Sequence, residues 1–323
     1  MGTMARSRVL VTGGAGFIGS HLTDRLLAEG SSVVVLDDLS TGDAGNLRPH
    51  ERLTVVQGSV LDTSALREVG RVDMVFHLAG IVGMRLAADR RQEAFEVSET
   101  GTRNVLEATG SAPAVLFSSS AVYGVTPAQP APEDRPARLQ ELAEYDGGEP
   151  GYALGKWRLE EIADEARATR PVLVVRPFNV VGRRQRSSYG MVLPTMVERA
   201  LSEKPLTVYD DGRQSRCFTQ VDAFVDCFFR VVDAREAWAP GARPVNIGSD
   251  QPTRILDLAA LVLEETRSTS PIEHLPYETV FPGRRDVPAR VPDTRSCRSL
   301  VGPVRWPHVR AAVRDMLQSP VRA

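Results

Sequence analysis

The chain has 323 residues, 42% hydrophobic and 25% charged, with a formal net charge of −2. Those values suit a large globular chain with a sizeable core, and they leave no general electrostatic footprint for nucleic acid or an anionic membrane. Cys217, Cys227 and Cys297 form no C-x-x-C, the five histidines show no metal-ligand spacing, and no apolar run approaches the roughly 18 residues of a membrane span, so the expectation is a cytoplasmic protein with no metal site.

Short β-branched runs alternate with helical patterns from the start. Val9–Val11, Val33–Leu36, Leu53–Val56, Met74–Phe76, Val115–Phe117 and Val172–Val175 read as buried strands, and continuous apolar runs of this kind suit a parallel sheet covered on both faces. Leu22, Leu26 and Leu27 form an apolar stripe ended by Gly30, and helical patterns fill 93–109 and 151–168. Between them, 126–150 is proline-rich and acidic and reads as a long surface loop with a helical turn at 138–145. Beyond Arg183 a helix near 191–202, strands at Leu206–Tyr209 and Val245–Ile247, and a last helical stretch near 308–318 stand out. The pattern predicts an α/β fold, a Rossmann-like doubly wound parallel sheet over 1–182 with returning segments near 215–250. A smaller C-terminal lobe would be built from 183–214 and 251–323, and ligands would sit beyond the carboxyl ends of the strands.

Thr12-Gly13-Gly14-Ala15-Gly16-Phe17-Ile18-Gly19 joins the first strand to the first helix. Gly13, Gly16 and Gly19 permit a tight turn and let main-chain N–H groups and the helix N-terminus face a pyrophosphate. Asp37 ends the second strand, where a carboxylate accepts ribose hydroxyls and repels a 2′-phosphate, so NAD is the expected cofactor. Phe17, Ile18, Ser59, Val60, Leu78 and Ala79 complete the candidate cofactor wall with Tyr152 and Lys156, and Asp38 reads as a loop cap.

Tyr152 and Lys156 open a predicted helix at i, i+4 and share a face. An ammonium beside a phenol stabilises the phenolate, which makes a tyrosine a usable general base. Phe117-Ser118-Ser119-Ser120-Ala121-Val122-Tyr123-Gly124 ends a strand and delivers hydroxyls to the same side of the sheet.

Taken in order, TGGAGFIGSHL at 12–22, HLAG at 77–80, SSSAVYG at 118–124, YALGK at 152–156, RPFNVVG at 176–182 and NIGS at 246–249 resemble the extended short-chain dehydrogenase/reductase family, in particular its nucleotide-sugar epimerases and dehydratases. The resemblance implies Tyr152 as base, Lys156 on the nicotinamide ribose, and Ser119 on the reacting hydroxyl. Ser118 then reads as structural, and Ser120 as a neighbour of the sugar. It implies Asn179 and Arg216 on a UDP diphosphate and Val192 beside the nucleotide base. Arg284 and Asp286, in the Arg-rich tail, join the substrate-binding set. A homodimer pairing the helices near 93–109 and 151–168 is also implied.

Dehydratases of that family carry an Asp-Glu pair, and UDP-glucuronate decarboxylases a glutamate, where this chain has Ser120 and Ala121. The resemblance therefore points to C4 epimerisation through a transient 4-keto sugar. Arg85 lies in a segment similar to the A-G-V-R of UDP-glucuronate 4-epimerases and joins the substrate-binding set, and Arg186 stands where those enzymes place an arginine for the sugar carboxylate, so UDP-glucuronate and UDP-galacturonate are the expected pair. UDP-glucose/UDP-galactose epimerisation is the alternative, followed by dehydration or decarboxylation and, last, a non-catalytic dinucleotide sensor. Ser59 stands where the family has an aspartate facing adenine, and Gly155 replaces a common serine before the lysine.

Overall fold

A computed structural model describes residues 6–125, 129–134, 139–283 and 286–318. Its elements run β1 (Arg8–Thr12), α1 (Phe17–Ala28), β2 (Ser32–Asp37), β3 (Leu53–Gln57), α2 (Thr63–Val69), β4 (Met74–His77), α3 (Met84–Asp89), α4 (Arg91–Ala108), β5 (Ala114–Phe117), α5 (Leu139–Tyr145), α6 (Tyr152–Ala166) and β6 (Val172–Pro177). Then come α7 (Val192–Leu201), α8 (Val221–Asp233) and α9 (Ile255–Thr266), with Val245–Ile247 as a strand between the last two and a helix Val309–Gln318 near the end.

The central sheet is doubly wound. Its order is Val245–Ile247, β6, β5, β4, β1, β2, β3, and every pairing is parallel. The chain winds one way from β1 and the other way from β4, so the crevice for a ligand opens beyond the carboxyl ends of those two strands. Alternation along the strands divides the core. Val9, Val11, Val33, Val35, Phe76 and Phe117 face α1 and the aromatic face of α8, including Phe224 and Phe228. Leu10, Val34, Leu36, Val75, Leu116 and Val174 face the other way, onto Leu66 of α2, Val97 and Val105 of α4, and Leu159 and Ile162 of α6. A further cluster joins Leu193 and Val197 of α7, Leu258 and Val262 of α9, and Val309 and Val313 of the last helix, over the strand Leu206–Tyr209.

The expected strands and the helices near 93–109, 151–168 and 191–202 are present. The helices α2, α3, α8 and α9 were not foreseen. Short strands also frame the lower cleft: Ser215–Cys217 pairs antiparallel with Pro252–Arg254 and parallel with Ala289–Arg290. Among the described residues no helix is long and apolar enough to cross a membrane.

Gly155 has a packing role. A Cβ there would stand 2.9 Å from Ser98 Cβ and 3.2 Å from Phe95 Cα, so the glycine lets α6 lie close against α4. A serine, the residue expected from the resemblance, does not fit this approach.

Candidate active site

One elongated cleft, with a cavity volume near 460 Å³, runs along the carboxyl edge of the sheet and continues toward α7 and the Ser215–Cys217 strand. Gly13, Gly16, Phe17, Ile18, Gly19, Asp37, Ser59, Val60, Leu78, Ala79, Ser119, Ser120, Tyr152, Lys156, Asn179, Arg186, Val192, Arg216 and Asp286 all line it. Arg85 does not: it is exposed on α3, and its main-chain N–H donates to the Tyr189 carbonyl. Arg284 lies outside the described residues.

The glycine turn leaves room for a pyrophosphate. Gly13 has φ +69°, and a Cβ on it would stand 2.9 Å from the Ala79 nitrogen; one on Gly19 would stand 2.1 Å from the Gly13 carbonyl oxygen. Side chains at either position would fill the cradle or break it. Asp37 accepts the N–H groups of Ala15 and Leu39, both at 2.9 Å, and burial pushes its carboxyl above the usual carboxylate range. No arginine or lysine pairs with it among the described residues, which fits a ribose bearing free hydroxyls. Asp38 accepts from Ser40 N and Oγ, the loop cap expected from the sequence. Ser59 Oγ accepts the Leu61 N–H at 3.2 Å, so its hydroxyl serves its own turn.

His77, at the end of β4, stiffens the crevice floor. Thr102 donates to the Ser98 carbonyl, so it accepts from His77 Nε2 at 3.0 Å, while Nδ1 accepts from Thr12 Oγ1 at 2.8 Å. Thr12 Oγ1 in turn accepts the Ala79 N–H. This chain requires the neutral Nε2–H tautomer, and burial with the nearby Lys156 charge holds the imidazole down at about 3.

Tyr152 is the first residue of α6, and Lys156 lies one turn on. Ser119 Oγ accepts the Ala121 N–H at 3.1 Å, which leaves the Ser119 proton for the Tyr152 oxygen or a substrate. Burial pushes the Tyr152 hydroxyl up to about 12, and the Ser119 hydrogen bond pulls it part of the way back. The expected depression of the tyrosine by Lys156 is absent. The Lys156 ammonium lies 6.0 Å from the Tyr152 ring and donates to the Phe117 carbonyl at 2.8 Å instead, and burial lowers it to about 8. The shared helix face is real, but the long lysine stem carries the charge past the ring to the end of β5.

A helical turn at 138–145 was expected, but three sets of contacts at this wall were not read from the sequence. The helix α5 brings Tyr145 and Asp146 to it, and Asp146 accepts the N–H groups of Ala153 and Leu154, holding the start of α6. Ser118 donates to Glu160, and Arg176 bonds the same carboxylate through two nitrogens while also reaching the Tyr123 hydroxyl and the Glu133 carbonyl. Ser118 is therefore structural, as expected. Finally, Arg290 is 4% exposed and lies in the cleft, its guanidinium donating to the Ser120 and Gly124 carbonyls.

At the far end, Arg216 donates to Asp286 Oδ1 at 2.7 Å and to the Val287 carbonyl at 2.6 Å. Asn179, at φ +37°, donates to the Cys217 carbonyl at 3.3 Å. Arg186 donates to the Tyr189 hydroxyl and to Asp43, each at 3.2 Å, so it is tied to the loop that follows β2.

Residues 9–248 match the NAD dependent epimerase/dehydratase family. The chain is 34% identical over 307 residues to UDP-N-acetyl-alpha-D-glucosaminuronate decarboxylase of Bacillus cytotoxicus, covering 91% of this chain and 92% of that protein. In structure it is similar to an epimerase of Methanothermobacter thermautotrophicus, at 26% identity and TM-score 0.86 over 98% of this chain and 92% of the other. It is also similar to MoeE5 in complex with UDP-glucuronic acid and NAD, at 26% identity and TM-score 0.79 over 96% and 98% of the two chains.

Proposed function

The chain belongs to the NAD-dependent epimerase/dehydratase family, and from that premise we propose that it epimerises a UDP-sugar at C4, with UDP-glucuronate and UDP-galacturonate as the pair. NAD, when bound, accepts the C4 hydride of the sugar and gives it back. Tyr152 removes the C4 hydroxyl proton and returns it, and Ser119 donates to the same oxygen and holds it at the tyrosine. Lys156, charged below about pH 8, adds positive charge to this wall. Arg216 and Asn179 hold the diphosphate at the far end, so the 4-keto sugar can turn while the nucleotide stays fixed. Segments 183–214 and 251–323 form the lobe that holds the nucleotide, and the working molecule is a homodimer across α4 and α6, which light scattering on the purified protein tests.

One observation carries the choice of reaction. Ser120 and Ala121 follow Ser119 with no carboxylate side chain, and Asp146, the carboxylate that α5 brings to the same wall, is occupied by the Ala153 and Leu154 N–H groups. Among the described residues, elimination and decarboxylation thus lack a carboxylate directly after Ser119, and Asp146 already serves the start of α6. A uronate fits the relatives, one acting on a UDP-glucosaminuronate and another holding UDP-glucuronic acid. The decarboxylase relative also favours a second reading, loss of carbon dioxide from the same 4-keto sugar.

Proton NMR on UDP-glucuronate, UDP-glucose and UDP-N-acetylglucosamine, each offered separately to the NAD-loaded protein, decides between them. Equilibration of UDP-glucuronate with UDP-galacturonate supports the proposal. A pentose product with release of carbon dioxide supports the second reading, and turnover of UDP-glucose alone overturns the uronate.

A further inference from the structure

Among the described residues four arginines line the cleft: Arg184, Arg186, Arg216 and Arg290. Three of these have a carboxylate within ion-pair distance, Arg184 with Asp24, Arg186 with Asp43 and Arg216 with Asp286. Arg290 has no carboxylate within ion-pair distance among the described residues. Its hydrogen bonds go to two neutral carbonyls, those of Ser120 and Gly124, and its guanidinium lies 5.7 Å from the centre of the Tyr145 ring. A buried charge without an ion-pair partner costs free energy unless an anion joins it, and burial together with Arg216 pulls the guanidinium below its ordinary value, against a weaker opposing pull from Tyr145, Tyr123 and Asp286. With two of its five N–H donors used on carbonyls, the rest remain for a ligand.

Its position says which anion. Arg290 pairs in register with Arg216 on adjoining parallel strands, so the two arginines leave neighbouring positions of one small sheet. Arg216 turns to Asp286 and Val287, whereas Arg290 turns to the Ser119–Ser120 turn, next to the tyrosine. A nucleotide sugar whose diphosphate lies at Arg216 and whose C4 reaches Tyr152 passes Arg290 with the substituent on C5.

We infer that Arg290, backed by the Tyr145 ring, is the residue that receives the C6 carboxylate of the sugar, so that the cleft selects uronates over neutral hexoses by giving an ion-pair partner to a guanidinium that has none among the described residues. This rests on the uronate reading above. It differs from the expectation for Arg186, whose guanidinium is committed to Asp43 and Tyr189 beside the loop after β2.

The test is calorimetric binding of UDP, UDP-glucose and UDP-glucuronate to NAD-loaded protein carrying Tyr152→Phe, which prevents turnover, with and without Arg290→Gln. The expected result is a loss of about 10- to 100-fold in affinity for UDP-glucuronate, with UDP and UDP-glucose changed by less than about threefold. Equal weakening of all three ligands would make Arg290 a diphosphate contact and overturn the inference, as would no weakening of any. Selective loss from Arg186→Ala but not from Arg290→Gln would return the role to Arg186. Should Arg290→Gln fail to fold, Arg290→Lys, which keeps the charge but not the planar fork, is read by the same ratio, with a selective loss supporting the inference and an even one overturning it. The NMR assay of the wild-type protein stands apart from this. Selective binding without epimerisation would refute the reaction and leave the carboxylate site standing.

Discussion

Arg176 Nε and Nη2 bond the two oxygens of Glu160 at 2.8 and 2.6 Å, and the arginine is 1% exposed. Glu160 lies one helical turn beyond Lys156 on α6, while Arg176 lies on β6 and also holds Tyr123, whose hydroxyl donates to Asn246. The pair thereby fastens the helix that carries Tyr152 and Lys156 to the sheet through groups outside the cleft lining.

Breaking that pair by removing one partner leaves an uncompensated buried charge. Glu160→Gln or Arg176→Met should each cost about 3–5 kcal/mol of unfolding free energy in urea titrations. The double variant should cost clearly less than the sum, because the partners share one interaction. Additive losses would show that the two residues act separately.

Packing of α6 against α4 sets a second expectation. Gly155→Ala adds a methyl 2.9 Å from Ser98 Cβ and 3.2 Å from the Phe95 backbone. Overpacking of this kind costs about 1–3 kcal/mol, against about 1 kcal/mol gained in helix propensity, so a net loss should appear as a lower Tm. Adding Ser98→Gly should recover much of it, which calorimetry on the four proteins of the cycle checks.

Much of this was legible because the informative signals are local. The glycine turn, the runs of Val and Leu, and the tyrosine–lysine spacing each depend on residues a few positions apart, and the parallel sheet follows from them. Helix α8 was missed because its residues Val221, Phe224, Val225, Phe228 and Phe229 are strand-formers by composition. Packing on the sheet and the Gln220 side chain, which accepts the Ala223 N–H at 2.9 Å, make it a helix. Arg290 was missed for the opposite reason. Nothing near it in the chain marks it, and its importance comes from Ser120, Gly124 and Tyr145, all more than a hundred residues away. Arg186 shows the limit of motif position, since the residue is in the cleft but Asp43 holds its charge.

His77 makes the fold acid-sensitive. Its imidazole stays neutral down to about 3 in the folded chain but takes a proton near its ordinary value of 6.5 when unfolded. The unfolded state therefore binds more protons over that window, and stability falls as pH drops from 6.5 toward 3, by about 1.4 kcal/mol per pH unit. His21, held at about 4 by burial, adds to the slope. His77→Gln should remove close to one proton from the linkage, seen as a shallower fall of unfolding free energy between pH 6.5 and 5. An unchanged slope would mean that other groups carry it.

Tyr152→Phe should reduce turnover by about 10²–10⁴-fold while UDP binding stays within a few-fold, because the lost hydroxyl acts on the proton and not on the nucleotide. Ser119→Ala should lower turnover less, since the tyrosine still reaches the sugar. Retained turnover in Tyr152→Phe would remove the tyrosine from the chemistry.

Lys156 trades stability for chemistry, and pH separates the two. Its ordinary value is 10.5, and burial brings it to about 8 in the folded chain. Between pH 8 and 10.5 the unfolded state holds the proton that the folded state has released, so stability rises with pH across this window. Below pH 8 the full penalty of the buried ammonium is present, offset in part by its bond to the Phe117 carbonyl. Lys156→Met should thus be as stable as the wild type or more so at pH 7, and it should lack the rise from pH 8 to 10.5 in denaturant titrations. Turnover should run the other way. The wild type should lose activity above pH 8 as the ammonium on the Tyr152 wall discharges, and Lys156→Met should be at least about 100-fold slower below pH 8, with the gap narrowing above it. If the variant proved unstable at pH 7 with the alkaline rise intact, the lysine would be a structural residue, and the charge on the catalytic wall would have to come from elsewhere.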